Sequence, residues 1–169
     1  MIETARLSIK KPEGEQIDFV APLFANPNVM RHIGSGVTRN RDESLKAIQN
    51  NTKHWETFGF GFFNVFEKET GFFVGRAGLF HLAFQHDNPE VEMGFILNEQ
   101  FWGKGYGTEI AKALFEWGAE NLEVDHILAV TYKENTASRN VLEKIGMQFD
   151  HEGQYPNVVQ KVLYFSVPI

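Results

Sequence analysis

FILNEQFWGKGYGTEIAKALFEWG, residues 95–118, decides how the chain is read: a short apolar run, a polar turn, three glycines at alternate positions, then a helix. Gly103, Gly105 and Gly107 leave the backbone unobstructed where the helix starts, so successive amide N–H groups can converge on an anion. The orphan N–H groups of the first turn and the positive end of the helix dipole add to that preference. From Tyr106 on, Ile110, Ala113, Leu114 and Trp117 recur at helical spacing, while Glu109, Lys112, Glu116 and Glu120 fall elsewhere around the wheel. The pattern predicts a helix with one buried face and a free N-terminus suited to a phosphate. A plain loop that uses glycine for turn geometry is the competing reading of the turn by itself. Two nucleotide motifs are excluded: Lys104 is followed by Gly105 rather than Ser or Thr, and the third glycine of a dinucleotide fingerprint is replaced by Thr108 or Ile110.

The 169 residues suit one domain over 1–169, and 43% hydrophobic with 22% charged residues is a globular balance. Nine of the sixteen phenylalanines cluster between Phe58 and Phe84, which points to a packed sheet. With no cysteine, disulfides, thiolate metal sites and a cysteine nucleophile are excluded. No apolar leader or span of ~18 apolar residues is present, so a soluble cytoplasmic protein without membrane contact is expected. The net charge of -6 speaks against nucleic-acid binding; acidic residues gathered at a cleft would favour a cationic substrate such as an amine. The six histidines lack metal-ligand spacing, and no metal is expected.

Working outward, Ala5 to Lys10 alternates as an opening strand and Gly14 to Phe24 has helical spacing. Residues 28–36 read as a loop. Asn40 with Glu43 resembles a capping box for a helix to about Thr57. Phe58–Phe66 and Phe72–His81 form a hairpin around 68–71, and Glu90–Leu97 adds a third strand. After the central helix come a strand at Asp125–Tyr132, a helix capped by Asn135 or Thr136 and ended by Gly146, and a closing pair of strands at Met147–Tyr155 and Val158–Val167. The order gives an α+β chain with a mixed, mostly antiparallel sheet of six or seven strands and four helices, in which the central helix is a crossover.

EVEMGFIL, FWGKGYGTE and NTASRNVLEKIGM, in that order and spacing, resemble the GNAT superfamily of acetyl-CoA-dependent N-acetyltransferases, and more narrowly its RimJ/RimL-like branch. ARLSIKKP, NPNVMRHIG and TGFFVGRAGL extend the similarity over the whole chain. The resemblance implies a GNAT fold whose splayed central strands hold CoA. It assigns the pyrophosphate to the backbone of Gly103, Lys104, Gly105, Gly107 and Thr108, and the pantetheine amides to Phe95, Ile96 and Leu97. Asn135 would bond the cofactor arm and Ser138 would supply a proton to the leaving thiolate. Trp102 stands where the broad pattern has Arg or Gln, as the narrower branch commonly does, so no side-chain phosphate contact is expected there.

Acetyl transfer to an amine needs a neutral amine, a polarised carbonyl and a stabilised leaving thiolate. Without a cysteine, direct attack in a ternary complex is expected. Strand alternation puts Glu92 with Gly94 and Ile96 near the thioester, making it the candidate base through water; a solvated or structural carboxylate is the competing reading. The loop near 30–36 and the turn around Tyr155 are implied to shape the acceptor cleft. The acceptor is a primary amine, a protein N-terminus or a small molecule, and a homodimer is compatible with the family. The alternative is a non-catalytic acyl-CoA-binding regulatory module.

Overall fold

The computed structural model describes residues 1–14 and 16–169. Among these residues the chain forms five helices and one eight-stranded sheet, against the four helices and six or seven strands expected. The extra strand arises because the opening run is a small hairpin, β1 (Ile2–Glu3) against β2 (Leu7–Lys10). Two residues are too few to show alternation. Helix α1 spans Ile17–Ala25; Glu15, inside the run expected to be helical from Gly14, lies outside the described residues.

The extra helix, α2 (Pro27–Met30), sits in the segment expected to be loop. The Asn26 side chain accepts the N–H groups of Asn28 and Val29, and Pro27 takes the first helical position, where its missing N–H costs nothing. Helix α3 (Arg41–Phe58) begins with the expected capping box: Asn40 Oδ1 accepts the Glu43 N–H at 2.9 Å, and Glu43 Oε2 accepts the Asn40 N–H at 2.8 Å. It ends at Gly59 with φ 79°. Phe58 therefore belongs to the helix, and β3 starts only at Phe62 (Phe62–Glu67). The Asn51 and Trp55 side chains both donate to the Phe62 carbonyl, binding the helix to the strand entrance.

Strands β4 (Phe73–His81) and β5 (Val91–Leu97) continue the antiparallel meander. Helix α4 (Tyr106–Asn121) crosses over to β6 (His126–Thr131), which is parallel to β5. Helix α5 (Thr136–Lys144) leads to β7 (Gln148–Gly153) and β8 (Val162–Pro168), which pair as expected but are joined through a longer connection, 154–161. The sheet order is β1-β2-β3-β4-β5-β6-β8-β7, so β8 lies between β6 and β7.

Alternation along β5 sends Met93 and Ile96 to opposite faces. Ile110 and Leu114 of α4 pack with Ala77, Leu79, Met93 and Ile127 on one face. Val20, Leu23 and Phe24 of α1 and Ile48 of α3 pack with Ile96 on the other. Both helix layers leave the β5–β6 seam open. Only Glu92↔Leu128 is paired across it, and beyond that point the two strands diverge, as the splayed-strand expectation required. Among the described residues no helix is long and apolar enough to cross a membrane.

Candidate active site

A cavity of about 460 Å³ opens at the β5–β6 divergence. It brings together five of the residues singled out in sequence: Glu92, Phe95, Ile96, Asn135 and Ser138. Leu97 and the glycine turn lie outside its lining. The Leu97 carbonyl accepts a hydrogen bond from Trp102 Nε1 at 2.9 Å, so the indole folds back on the strand end instead of reaching outward.

The turn forms the mouth. Gly103 and Gly105 adopt φ of 73° and 79°, left-handed conformations that an L side chain takes at a cost of roughly 1–2 kcal/mol. Among the described residues no side chain caps α4, and the first main-chain bond back to the turn is Glu109 N–H to the Gly105 carbonyl. The amides of Tyr106, Gly107 and Thr108 therefore begin the helix without a protein cap, the arrangement an anion fits. A Cβ on Gly107 would stand 3.2 Å from Val141 of α5 and 3.8 Å from Phe95, so this glycine brings α4, α5 and β5 close together. Lys104 is exposed with its ammonium over the Phe101 ring, and its carbonyl accepts from Arg6. Arg6 also pairs with Glu109 at 2.7 Å, which offsets the charge of that first-turn carboxylate.

Glu92 sits where the seam opens and is 6% exposed. Tyr155 donates its hydroxyl to Glu92 Oε2 at 2.7 Å, and the Ala83 N–H donates to the same oxygen at 3.1 Å. Ala83 and Phe84 have φ of 54° and 56°, a strained pair for non-glycine residues, and that turn aims the Ala83 amide at the carboxylate. Burial pushes the Glu92 carboxyl up to about 7, and the bonds from Tyr155 and Ala83 act in the opposite direction. Tyr155 itself is raised by burial and by the Glu92 charge, and stays a donor. It follows that Tyr155→Phe will raise the Glu92 pKa further. The acid limb of any Glu92-dependent rate will move to higher pH, which a pH profile of kcat/KM against wild type checks.

Asn135 Oδ1 accepts the Ser138 N–H at 3.2 Å, so Asn135 is the α5 cap and keeps its Nδ2 donors for a second partner. Ser138 is half-buried on the cavity wall. Sequence reasoning did not single out Tyr132, whose hydroxyl donates to the Gly34 carbonyl and ties the end of β6 to the 31–40 loop. It also passed over Arg39 and Arg76. These two and Glu92 are the Asp, Glu, Lys or Arg side chains of the lining, so the acidic excess of the chain does not gather at this cleft. Among the described residues no three His, Cys, Asp or Glu side chains converge as a metal site. His54 instead bonds the Phe60 carbonyl and His81 inside an aromatic cluster.

An acetyltransferase (GNAT) domain matches residues 6–148. The uncharacterized N-acetyltransferase YnaD of Bacillus subtilis is 28% identical over 160 residues, covering 95% of this chain and 88% of YnaD. The acetyltransferase of Salmonella typhimurium that modifies the N-terminal serine of ribosomal protein L7/L12 superposes with a TM-score of 0.80 at 15% identity, over 98% of this chain and 96% of that one. Spermidine N-acetyltransferase of Vibrio cholerae, in complex with CoA and spermine, superposes with a TM-score of 0.77 at 19% identity, over 96% and 95%. At those identities the two structures establish the shared fold.

Proposed function

This chain belongs to the GNAT acetyltransferase family and is an acetyl-CoA-dependent N-acetyltransferase; on that premise we propose that Glu92 is the base which readies a primary amine for direct attack in the β5–β6 cavity. The observation that carries the assignment is a buried carboxylate, raised to about 7, at the one paired point of a seam that then opens. A base with that pKa is half ionised at neutral pH and still accepts a proton readily.

The residues fit the cofactor: an uncapped helix start flanked by left-handed glycines for the pyrophosphate, and an open strand edge at Phe95 and Ile96 for the pantetheine amides. Asn135 Nδ2 would bond the same arm. When bound, acetyl-CoA supplies the acetyl thioester. Glu92 takes the proton released as the amine becomes a nucleophile, directly or through a water. Ser138 offers its hydroxyl proton toward the sulfur side of the cavity; the Tyr132 hydroxyl, committed to the Gly34 carbonyl, would have to break that bond to serve instead. An N–H of the β5 edge is positioned to stabilise the oxyanion.

The two superposed acetyltransferases act on a polyamine and on a protein N-terminal serine, both amines. The test is CoA release from acetyl-CoA with a panel of primary amines. Amine-dependent release by wild type, reduced in Ser138→Ala mainly in kcat, is expected. Tight acetyl-CoA binding without release on any amine would leave the protein an acyl-CoA-binding module.

A further inference from the structure

Arg76 lies on β4 in the cavity wall, 2% exposed, and its Nε and Nη2 have no hydrogen-bond partner. A buried guanidinium without an acceptor is costly, because each unmet donor forfeits its bond to water. The Phe24 and Phe62 rings lie 6.0 and 5.3 Å from its central carbon, and they meet the group as π-faces and accept none of these N–H bonds. Nε and Nη2 are the two atoms whose N–H bonds run side by side, the fork that matches the two oxygens of a carboxylate. Arg39, half-buried and also in the lining, lies over the Phe24 ring at 4.7 Å and adds a second positive charge. Burial lowers Arg76 to about 10, with Arg39 contributing, so it keeps its charge at neutral pH.

Position relative to Glu92 follows from the strand register. Phe80 pairs with Glu92 and Arg76 with Ile96, so Arg76 and Glu92 share one face of the sheet with their Cα atoms about 14 Å apart. Between them stand Gly94 and the stacked rings of Phe62, Phe80 and Phe84, at centroid spacings of 4.7 and 4.6 Å. One end of the cavity thus holds a base, the middle is aromatic, and the far end holds the unpaired Arg76 guanidinium with Arg39 in the same lining.

We propose that the acceptor is a primary amine that also carries a carboxylate, bound by Arg76 and Arg39 at the end of the cavity away from Glu92, with an apolar or aromatic middle. This deepens, and rests on, the reading of the cavity as the acetyl-transfer site. It disfavours a polyamine, whose cationic tail would meet two positive charges.

The experiment compares kcat/KM for dipeptides, tripeptides and long ω-amino acids, aromatic ones included, each against its own C-terminal carboxamide, with spermidine and phosphoethanolamine as further arms. Wild type is expected to prefer acid over amide by about tenfold or more, the discrimination a charge-assisted bidentate bond supplies. Arg76→Met and, separately, Arg39→Gln should bring that ratio toward one through KM while acetyl-CoA binding stays unchanged. Because Arg76→Met removes a buried unpaired charge, it should fold; should it not, Arg39→Gln carries the test. If no acceptor turns over, binding of the N-acetylated acids and amides to the CoA-loaded protein reads the same preference. Acid and amide treated alike, or spermidine or phosphoethanolamine preferred, overturns the proposal. Loss of acetyl-CoA binding by wild type would instead refute the enzyme reading on which it rests.

Discussion

Glu92→Gln is expected to lower kcat/KM for the acceptor by about 10²-fold or more at pH 8, within the range that positioned proton transfer contributes. The substitution keeps the shape and an amide oxygen that can accept from Tyr155 and from the Ala83 N–H. Acetyl-CoA binding should therefore be preserved. The wild-type rate should climb about tenfold per pH unit below about 7 and flatten above it, following ionisation of the carboxylate. In the variant that limb should vanish.

Stability runs the other way. The folded-state pKa lies above the ordinary carboxylate value of 4.5, so the folded chain holds its proton more tightly than the unfolded one. That contribution is complete below the ordinary value and is lost as pH rises through about 7, by about 3 kcal/mol in all. Glu92→Gln removes this dependence, and thermal unfolding at pH 8 should show no loss of stability. A variant with the wild-type pH limb intact would exclude Glu92 as the base.

The second large effect is at the mouth. Gly107→Val should weaken acetyl-CoA binding by well over tenfold, about 1.4 kcal/mol or more, by placing branched methyl groups beside the uncapped amides. The same side chain presses on Val141, 3.2 Å from the position of its Cβ, so some loss of stability accompanies it. Gly107→Val combined with Val141→Ala separates the two consequences. The pair should recover thermal stability and leave binding impaired. Recovery of both would mean that Gly107 serves α4–α5 packing and not the pyrophosphate.

What could be read from the chain was its local grammar. The Asn40–Glu43 box, the hairpin, the glycine-flanked start of α4 and the Asn135 cap each depend on neighbours within a few residues, and each stands as expected. Period two alone sets the face that Glu92 shares with Gly94 and Ile96, and that placement on β5 stands as expected. Misreadings fell where local pattern was ambiguous: Phe58 continues the Phe-Gly alternation yet closes a helix, and Ile2–Glu3 is too short to announce a strand. Arg76 was hidden for a different reason. An arginine in TGFFVGRAGL reads as an ordinary strand cation, and whether it finds a carboxylate is decided by residues from distant parts of the chain. The titration of Glu92 is likewise set by distant groups: burial raises it, and the hydroxyl of Tyr155, 63 residues away, works against that rise.

The position of β8 between β6 and β7 bears on when the protein becomes competent during its synthesis. Residues 1–131 can leave the ribosome with the β1–β5 meander and α4 in place, yet β6 then has the single Glu92↔Leu128 link on one side and nothing on the other. Its six-residue ladder to β8, Ile127↔Val167 among the pairs, awaits a strand made more than 30 residues later. The β6 wall of the seam is thus set only once β8 is made, and a nascent chain stalled before residue 162 would expose an unpaired edge to chaperones or to another stalled copy.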